Sequence, residues 1–300
     1  MDGNSETSEN GSAALVVAVA DQFDAQVVRG LGGRSSLNWL VRRGEQLLVL
    51  REDQDLFELG RQRLGEAISW RATARASVGA SGWPVPLSVE RPLWTHGSWW
   101  TLETFVPGQP AELTPERHAA LLARWQELRL DLDELGPQPH RLDHLAVLSD
   151  DDAWRLFADV EDTEDRRWLR QRLEQVLPLA ERVDWGASPR RLVHGDLVSQ
   201  NLLWQGPTLA GVLDFELATV DRRVTELIHT WRCRYDDVVL AYDAHAPLND
   251  HEWRMLLVDW WALLLSLSLF HLKRGREPGR WELEALRRSS GLALRLAANA

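Results

Sequence analysis

Two short polar motifs separated by an apolar stretch constrain this 300-residue chain more than any other feature. The first motif, residues 192–201, reads LVHGDLVSQN, and the second, residues 212–216, reads VLDFE. Asp196 and Asn201 lie five positions apart, and Asp214 follows thirteen residues later, after a β-like run. This spacing predicts a loop that presents a carboxylate and an amide, followed by a strand that ends at a second carboxylate.

These three side chains match the needs of phosphoryl transfer, in which a carboxylate orients the attacking hydroxyl and two oxygen ligands hold magnesium. The alternative is an ordinary turn, in which Asp196 and Asn201 only cap and bend the backbone. The tripeptide His-Gly-Asp alone does not exclude such a turn. Asn201, the β-like run and Asp214 together favour the phosphoryl-transfer interpretation.

Protein kinases carry H-R-D-x-x-x-x-N and D-F-G for these tasks, whereas this chain has H-G-D-x-x-x-x-N and D-F-E. The glycine in place of arginine resembles the aminoglycoside phosphotransferase and choline kinase-like family of small-molecule kinases. The likeness is specific at residues 192–216, and the order of elements is similar from about residue 24 to 275. It implies an α+β, two-lobed protein-kinase-like fold with a small antiparallel β-sheet N-lobe and a larger, mainly α-helical C-lobe.

The resemblance also implies roles for the motif residues. Asp196 would be the catalytic base or hydroxyl-positioning group, and His194 a hydrogen-bonded scaffold of the catalytic loop (residues 194–201). Asn201 and Asp214 would hold Mg²⁺ on the phosphates of ATP. Glu216 stands where protein kinases have the glycine of D-F-G, so it is either a second carboxylate near the metal or a solvent-facing residue at a strand end.

A glycine-rich segment, residues 30–36, separates two predicted strands near the N-terminus and includes the candidate nucleotide-binding residues Gly32, Gly33 and Ser35. Backbone N–H groups of such a loop can approach phosphates closely. Glycine clusters also serve ordinary hairpins, so position carries much of the argument. Asn38 resembles an asparagine often seen just after this loop in the family.

Kinase lobes place a lysine on the third strand to bind phosphates, but the only lysine here is Lys273, far along the chain. Arg51 occupies the strand position, either in that role or as a surface arginine at a strand end. Its predicted partner on the following helix is Glu66 or, less favoured, Glu58. Glu103 precedes the predicted hinge, where kinase-like folds bind the adenine edge through the backbone.

Composition and patterning complete the predicted organisation. The chain is divided into a disordered or leading segment (1–23), a nucleotide-binding N-lobe (24–105), a hinge (106–110) and a catalytic and acceptor-binding C-lobe (111–300). Predicted strands are 24–29, 37–42, 46–51, 87–90 and 99–105; predicted helices are 56–78, 114–135, 222–244, 249–273 and 280–298. The acidic segment 150–165 is predicted to be a solvated surface.

Bulk properties narrow the function classes. A formal net charge of −11 argues against a nucleic-acid partner, and the single cysteine, Cys233, excludes an internal disulfide framework and favours a reducing cytoplasm. The apolar run 255–272 contains Asp259 and His271, which favours a buried helix over a membrane span.

The acceptor is the least determined part of the prediction. Tryptophans and acidic residues in the C-terminal helices could bind a cationic acceptor or could simply be core and surface residues; they are Trp231, Trp253, Trp260, Trp261, Asp236, Asp237 and Asp243. A small-molecule hydroxyl acceptor of the aminoglycoside or other antibiotic type and a metabolic acceptor of the homoserine, choline or sugar type fit equally. Glu226 lies where the family often has an aspartate that supports the catalytic loop, and the alternative is a helix-start carboxylate favoured by the helix dipole. A non-catalytic nucleotide-binding scaffold is the remaining alternative.

Overall fold

The computed structural model describes residues 6–32, 37–55, 58–138, 144–158 and 163–298, with side chains from residue 13 onward. The strands are β1 (Gln26–Gly32), β2 (Leu37–Arg43), β3 (Gln46–Asp53), β4 (Leu93–Thr95), β5 (Ser98–Thr104), β6 (Gln109–Pro110), β7 (Arg190–Val193), β8 (Leu202–Gln205), β9 (Thr208–Val212) and β10 (Thr219–Arg222). The α-helices are α1 (Glu6–Gln22), α2 (Arg61–Ala80), α3 (Pro115–Gln126), α4 (Asp151–Ala158), α5 (Glu164–Ala180), α6 (Arg223–Trp231), α7 (Asp236–His245), α8 (Asp250–Leu272), α9 (Arg280–Arg287) and α10 (Gly291–Ala298).

The chain forms two compact units. The first contains Met1–Ala111, Asp133–His140 and Gln200–Glu216, and the second contains Glu112–Leu132, Arg141–Ser199 and Leu217–Ala300. The α+β class is confirmed, since the first unit is built on antiparallel sheet and the second is mainly helical. The division differs from the contiguous lobes predicted from the sequence, because the segment after the catalytic loop belongs with the N-terminal residues.

The first unit has a five-stranded antiparallel sheet in the order β1-β2-β3-β5-β4. Strands predicted at 24–29, 37–42, 46–51 and 99–105 are present with shifted ends. The predicted strand 87–90 is reduced to a single bridge between Ser88 and Glu103. The strand at this edge is β4 instead, because His96 and Gly97 both adopt positive φ, of 51° and 82°, and close a two-residue hairpin onto β5.

The predicted disordered leader, residues 1–23, is wrong where the structure has α1. Val16, Val19 and Ala20 are buried together with Leu48 and Trp100 of the sheet. The spacing i, i+3, i+4 places the three small apolar side chains on one helix face. A helix therefore forms because that face covers one side of the sheet, which local composition does not reveal.

A second sheet of the same unit, in the order β6-β8-β9, positions two motif residues. Asn201 directly precedes β8, and Asp214 follows β9 by two residues. The backbone N–H of Leu213 donates to the carbonyl of Asn201 at 2.8 Å, so the two ends of this hairpin are tied together. A larger residue at Gly211 would force Val106 to shift, because an added Cβ would lie 2.6 Å from its side chain.

In the second unit, β7 pairs antiparallel with β10 and ends immediately before His194. The helix predicted over 222–244 is two helices, because Arg232 and Cys233 adopt left-handed backbone conformations after α6. α5 was not predicted. The long apolar helix α8 begins with a capping box at Asn249. It is long and apolar enough to cross a membrane, but 78% of its most apolar window is buried within the protein.

Gly65 on α2 offers a test of packing in the first unit. A Cβ there would overlap the ring of Trp99, whose indole N–H is held by the carbonyl of Arg61 at 2.8 Å. Gly65→Ala is expected to lower the free energy of unfolding by about 1–3 kcal/mol through overpacking, despite its better helix propensity. Urea denaturation checks this against Arg63→Ala on the exposed face of the same helix, which should change stability by less than about 0.5 kcal/mol.

Candidate active site

Arg51 lies at the centre of an ionic cluster in the first unit. Its guanidinium donates to Glu216, lies 3.4 Å from Asp214 and contacts Asp53 at 3.6 Å. We call these four residues the phosphate-side cluster. Arg51 is only 9% exposed. Burial alone would lower the pKa of Arg51, but Asp53, Glu216 and Asp214 raise it above its ordinary value, so the cation is permanent.

The predicted pairing of Arg51 with Glu66 is wrong. Glu66 lies on the exposed side of α2, where it accepts a hydrogen bond from Gln62 at 3.0 Å. The helix instead contributes cations toward the sheet: Arg71 donates to Asp53 at 3.3 Å. The strand supplies the carboxylate because Asp53 follows Arg51 by two residues and so points to the same face of β3.

A second ion pair between α2 and the sheet lies one turn further along the helix, and here too the helix supplies the cation and the strand supplies the carboxylate. Arg75 forms an ion pair with Glu103, and both side chains are buried. Glu103 lies in β5 between Val49 and Ser88. Its predicted backbone role at the adenine edge stays a prediction. Arg71 and Arg75 were missed by sequence reasoning, although their i, i+4 spacing on one helix was a usable signal.

The magnesium candidates Asn201, Asp214 and Glu216 all belong to the first unit. Asp214 adopts a positive φ of 63°, an uncommon conformation for a residue other than glycine. The described residues contain no group of three or more His, Cys, Asp or Glu side chains arranged to hold a metal unaided. A set of one amide and one or two carboxylate oxygens, completed by phosphate oxygens and water, nevertheless fits the preferences of Mg²⁺.

The glycine-rich segment is described only in part. Gly32 ends β1 at a φ of 78°, and its carbonyl accepts a hydrogen bond from the side-chain amide of Asn38 at 3.1 Å. Asn38 therefore ties the two sides of the segment together. Gly33 and Ser35 lie outside the described residues, so their nucleotide-binding role stays a prediction.

The part of the catalytic loop that lies in the second unit, residues 194–199, is held by specific contacts. Gly195 has a φ of 80°, and an added Cβ would lie 2.8 Å from the carbonyl oxygen of Leu217, so only glycine fits. His194 is fully buried, and its Nδ1 accepts the backbone N–H of Asp196 at 3.2 Å. This contact agrees with the predicted scaffold role of His194.

Glu226 on α6 is the principal support of this loop. Its carboxylate accepts the backbone N–H groups of His194 at 2.5 Å and Gly195 at 3.2 Å, and it is completely buried. Burial raises the pKa of Glu226 to about 8, although the backbone hydrogen bonds oppose that rise. Trp125 and His118 add further bonds, to the carbonyls of Leu192 at 3.0 Å and Leu197 at 2.6 Å.

Asp196 itself has a cationic partner that sequence reasoning missed. The Nη2 atom of Arg232 donates to Oδ1 of Asp196 at 2.6 Å, and both side chains are partly exposed. Thirty-six residues separate the two in sequence, so no local pattern connects them.

The C-terminal tryptophans favour the core interpretation over an acceptor pocket. Trp231 and Trp260 are at most 1% exposed. Asp236 accepts the indole N–H of Trp231 at 2.7 Å and the backbone N–H of Leu292 at 2.8 Å, and Asp243 accepts the backbone N–H of Leu248 at 2.7 Å. These two carboxylates therefore support helix ends and packing.

Residues 27–257 match the family model described as the phosphotransferase enzyme family. The chain belongs to this family. The predicted recognition is confirmed, and the chain is an enzyme of the small-molecule kinase type with a hydroxyl acceptor. No curated protein sequence matched the chain in the corresponding comparison.

Solved structures show the same fold. Aminoglycoside phosphotransferase APH(4)-Ia has a TM-score of 0.66 at 16% identity, covering 96% of this chain and 99% of that one. The GDP complex of aminoglycoside 2'-phosphotransferase-IIIa has a TM-score of 0.62 at 17% identity, covering 96% and 98%. A thermostable APH(4)-Ia mutant in a ternary complex with AMP-PNP and hygromycin B has a TM-score of 0.64 at 16% identity, covering 94% and 97%. The kinase-like fold class is thereby confirmed.

Glu226 gives the protein a predictable pH dependence. Its pKa rises from 4.5 to about 8 on folding, so its contribution to stability is present below pH 4.5 and is lost as pH rises toward 8. The free energy of unfolding of the wild type, minus that of Glu226→Gln, should therefore fall across this window by up to about 1.4 kcal/mol per pH unit. Urea denaturation at a series of pH values measures it.

Glu252→Gln is the matched control. Burial raises the pKa of Glu252, but the charge of Arg223 and the hydrogen bonds from Arg223, Asn249 and Ser188 together outweigh it, and the net direction is downward. Its pH-dependent contribution lies below its ordinary pKa, so that variant should show no such slope between pH 4.5 and 8. A flat difference for Glu226→Gln would contradict the raised pKa.

Proposed function

We propose that this phosphotransferase moves the γ-phosphoryl group of ATP to a hydroxyl of an aminoglycoside or other antibiotic, with Mg²⁺, in a reducing cytoplasm. The observation that carries the proposal is the braced catalytic loop. Glu226 fixes the backbone at His194 and Gly195, so the carboxylate of Asp196 is presented from a loop with little freedom to move. Such pre-positioning is the main requirement of phosphoryl transfer, in which there is little covalent work for the protein.

On this proposal each residue has a definite task. Asp196 accepts the hydrogen bond of the acceptor hydroxyl and takes its proton as the hydroxyl oxygen bonds to the γ-phosphorus, while the bond from this phosphorus to the bridging oxygen breaks and ADP leaves. Arg51 binds phosphate oxygens through its planar, permanently charged fork. Asn201 and Asp214, with Glu216 as a further candidate, would hold Mg²⁺, which when bound supplies positive charge to the phosphate oxygens.

Nucleotide binding is supported by three solved structures of relatives, which are complexes with AMP-PNP, ADP or GDP. ATP is the proposed donor, and GTP is the alternative to be tested. The aminoglycoside class is supported by the hygromycin B complex of one relative and by the net charge of −11, which suits a cationic acceptor.

Two alternatives remain distinct. A metabolic acceptor of the homoserine, choline or sugar type would use the same catalytic loop. A non-catalytic scaffold would bind nucleotide without turnover, and the ion pairing of Arg51 with the metal-binding candidates Asp214 and Glu216 is the feature that favours it.

Purified protein with Mg²⁺ and ATP should consume nucleotide when the correct acceptor class is added from a panel of aminoglycosides, macrolides, homoserine, choline and simple sugars. Asp196→Ala should lower kcat by about 10³-fold or more, since it removes the general base and the positioning group together, while the Kd for Mg-ATP stays within about twofold. A coupled ATPase assay and calorimetry measure the two quantities.

Stimulation by an aminoglycoside would support the antibiotic acceptor, and stimulation by a metabolic alcohol would replace it. Saturable Mg-ATP binding without turnover on the whole panel would favour the scaffold. Loss of ATP binding in Asp196→Ala would mean that the catalytic loop has been assigned to the wrong task.

Replacement of Arg51 separates charge from geometry in the phosphate-side cluster. Arg51→Met should weaken Mg-ATP binding about 10- to 100-fold, because a charge-assisted contact to phosphate contributes about 1.5–3 kcal/mol. The Kd of Arg51→Lys for Mg-ATP should fall between those of wild type and Arg51→Met, since lysine keeps the positive charge but lacks the planar guanidinium. Calorimetric titration measures this, with Arg43→Met as the control, because Arg43 pairs with Glu90 outside the cluster. Equal Kd values for Arg51→Met and wild type would contradict the assignment.

A further inference from the structure

Helix α6 ends in an unusual way. Arg232 and Cys233 both adopt the left-handed conformation, at φ values of 50° and 48°. Helices commonly end with one left-handed residue, which is usually glycine because a Cβ is strained there. Two successive non-glycine residues in this conformation are costly, and such strain is typically kept at functional sites.

The side chain of Arg232 uses this backbone geometry to reach the catalytic loop. Its Nε donates to the carbonyl of His229 at 2.6 Å, and its Nη2 donates to Oδ1 of Asp196 at 2.6 Å. The first bond fixes the plane of the guanidinium, and the second transmits that fixed orientation to the carboxylate. Both bonds need the rigid fork of arginine.

Helix α6 and the residue that follows it therefore contact both the backbone of the catalytic loop and the side chain of Asp196. Glu226, in α6, binds the backbone at His194 and Gly195, while Arg232, at the end of the same helix, binds the Asp196 carboxylate. The two contacts differ in kind: the oxygens of Glu226 accept backbone N–H groups, while the cationic Arg232 donates to the carboxylate that the loop presents.

We propose that Arg232 is the positioning residue of the catalytic carboxylate: it fixes the orientation of Asp196 and holds its negative charge in place for the acceptor hydroxyl. This inference rests on the proposed function. It adds a cationic group beside the reacting hydroxyl, so the part of the acceptor that carries this hydroxyl must be neutral or anionic there, and any ammonium group of a cationic acceptor lies away from it.

A purely structural salt bridge does not account for the arrangement. The side chain of Arg232 is 32% exposed and that of Asp196 is 25% exposed, and pairs in contact with water contribute little to stability. Glycine at position 232 would relieve the strained backbone. An arginine kept in a conformation that favours glycine, and aimed at the carboxylate of the catalytic loop, is explained by function.

The test uses three substitutions at one position and a control. Arg232→Ala should lower kcat about 10- to 100-fold while KM for ATP changes less than threefold, and Arg232→Lys should recover part of the loss because it keeps the charge. Arg232→Gly should lose activity as Arg232→Ala does, yet unfold at an equal or higher urea concentration than wild type. Arg234→Ala, which removes a nearby arginine over the ring of Tyr235, should leave kcat unchanged.

A second measurement does not depend on turnover. Hydrogen–deuterium exchange of the peptide that contains residues 194–198 should accelerate in Arg232→Ala and Arg232→Gly, but not in Arg234→Ala. A kcat of Arg232→Ala within twofold of wild type, or unchanged exchange in this peptide, would overturn the inference. Inactive wild-type protein on the whole acceptor panel would instead refute the proposed function, and the exchange experiment would still decide whether Arg232 orders the loop.

Discussion

A polar or charged group removed from water needs a charged or hydrogen-bonding partner, and within each of the two units this requirement organises the candidate site residues. In the first unit, the buried Arg51 is surrounded by Asp53, Asp214 and Glu216. In the second, the buried Glu226 is surrounded by backbone N–H groups of the catalytic loop. Each partnership joins segments of one unit that are distant in sequence, so satisfying the buried group also positions the candidate residues of that unit.

The third strand has no lysine, and the ion pairs between α2 and the sheet use arginines of the helix and carboxylates of the strands. In the described residues α2 supplies Arg71 and Arg75, while the strands supply Asp53 and Glu103. In these two ion pairs the helix supplies the cation and the strand supplies the anion, and Arg51 is a further cation on β3. Arginine suits the strand position because its charge persists when it is buried, whereas a lysine in the same place could lose its proton.

Sequence reasoning performed best where chemistry is local. The motif at 192–216, the strands β2, β3 and β5 and the start of α3 at Thr114 follow from residue type and spacing, as caps, turns and alternation dictate. It failed where a segment depends on distant partners. Helix α1 forms because its apolar face packs on the sheet. Glu66 was predicted as the partner of Arg51 from its position in related folds. The partner is Asp53 instead, because residues two apart in a strand point to the same face.

Residue identity at short spacing was enough to specify the family, and it also predicts roles for Asp196, Asn201 and Asp214 and a phosphate-binding role for Arg51. Which charges meet, in contrast, follows from the three-dimensional path of the chain. Arg232 reaches Asp196 because two left-handed residues end α6 at that point, and no local pattern encodes a contact across thirty-six residues. Such pairings depend on how the folded backbone brings two residues together, because the sequence around each of them contains no motif that predicts the contact.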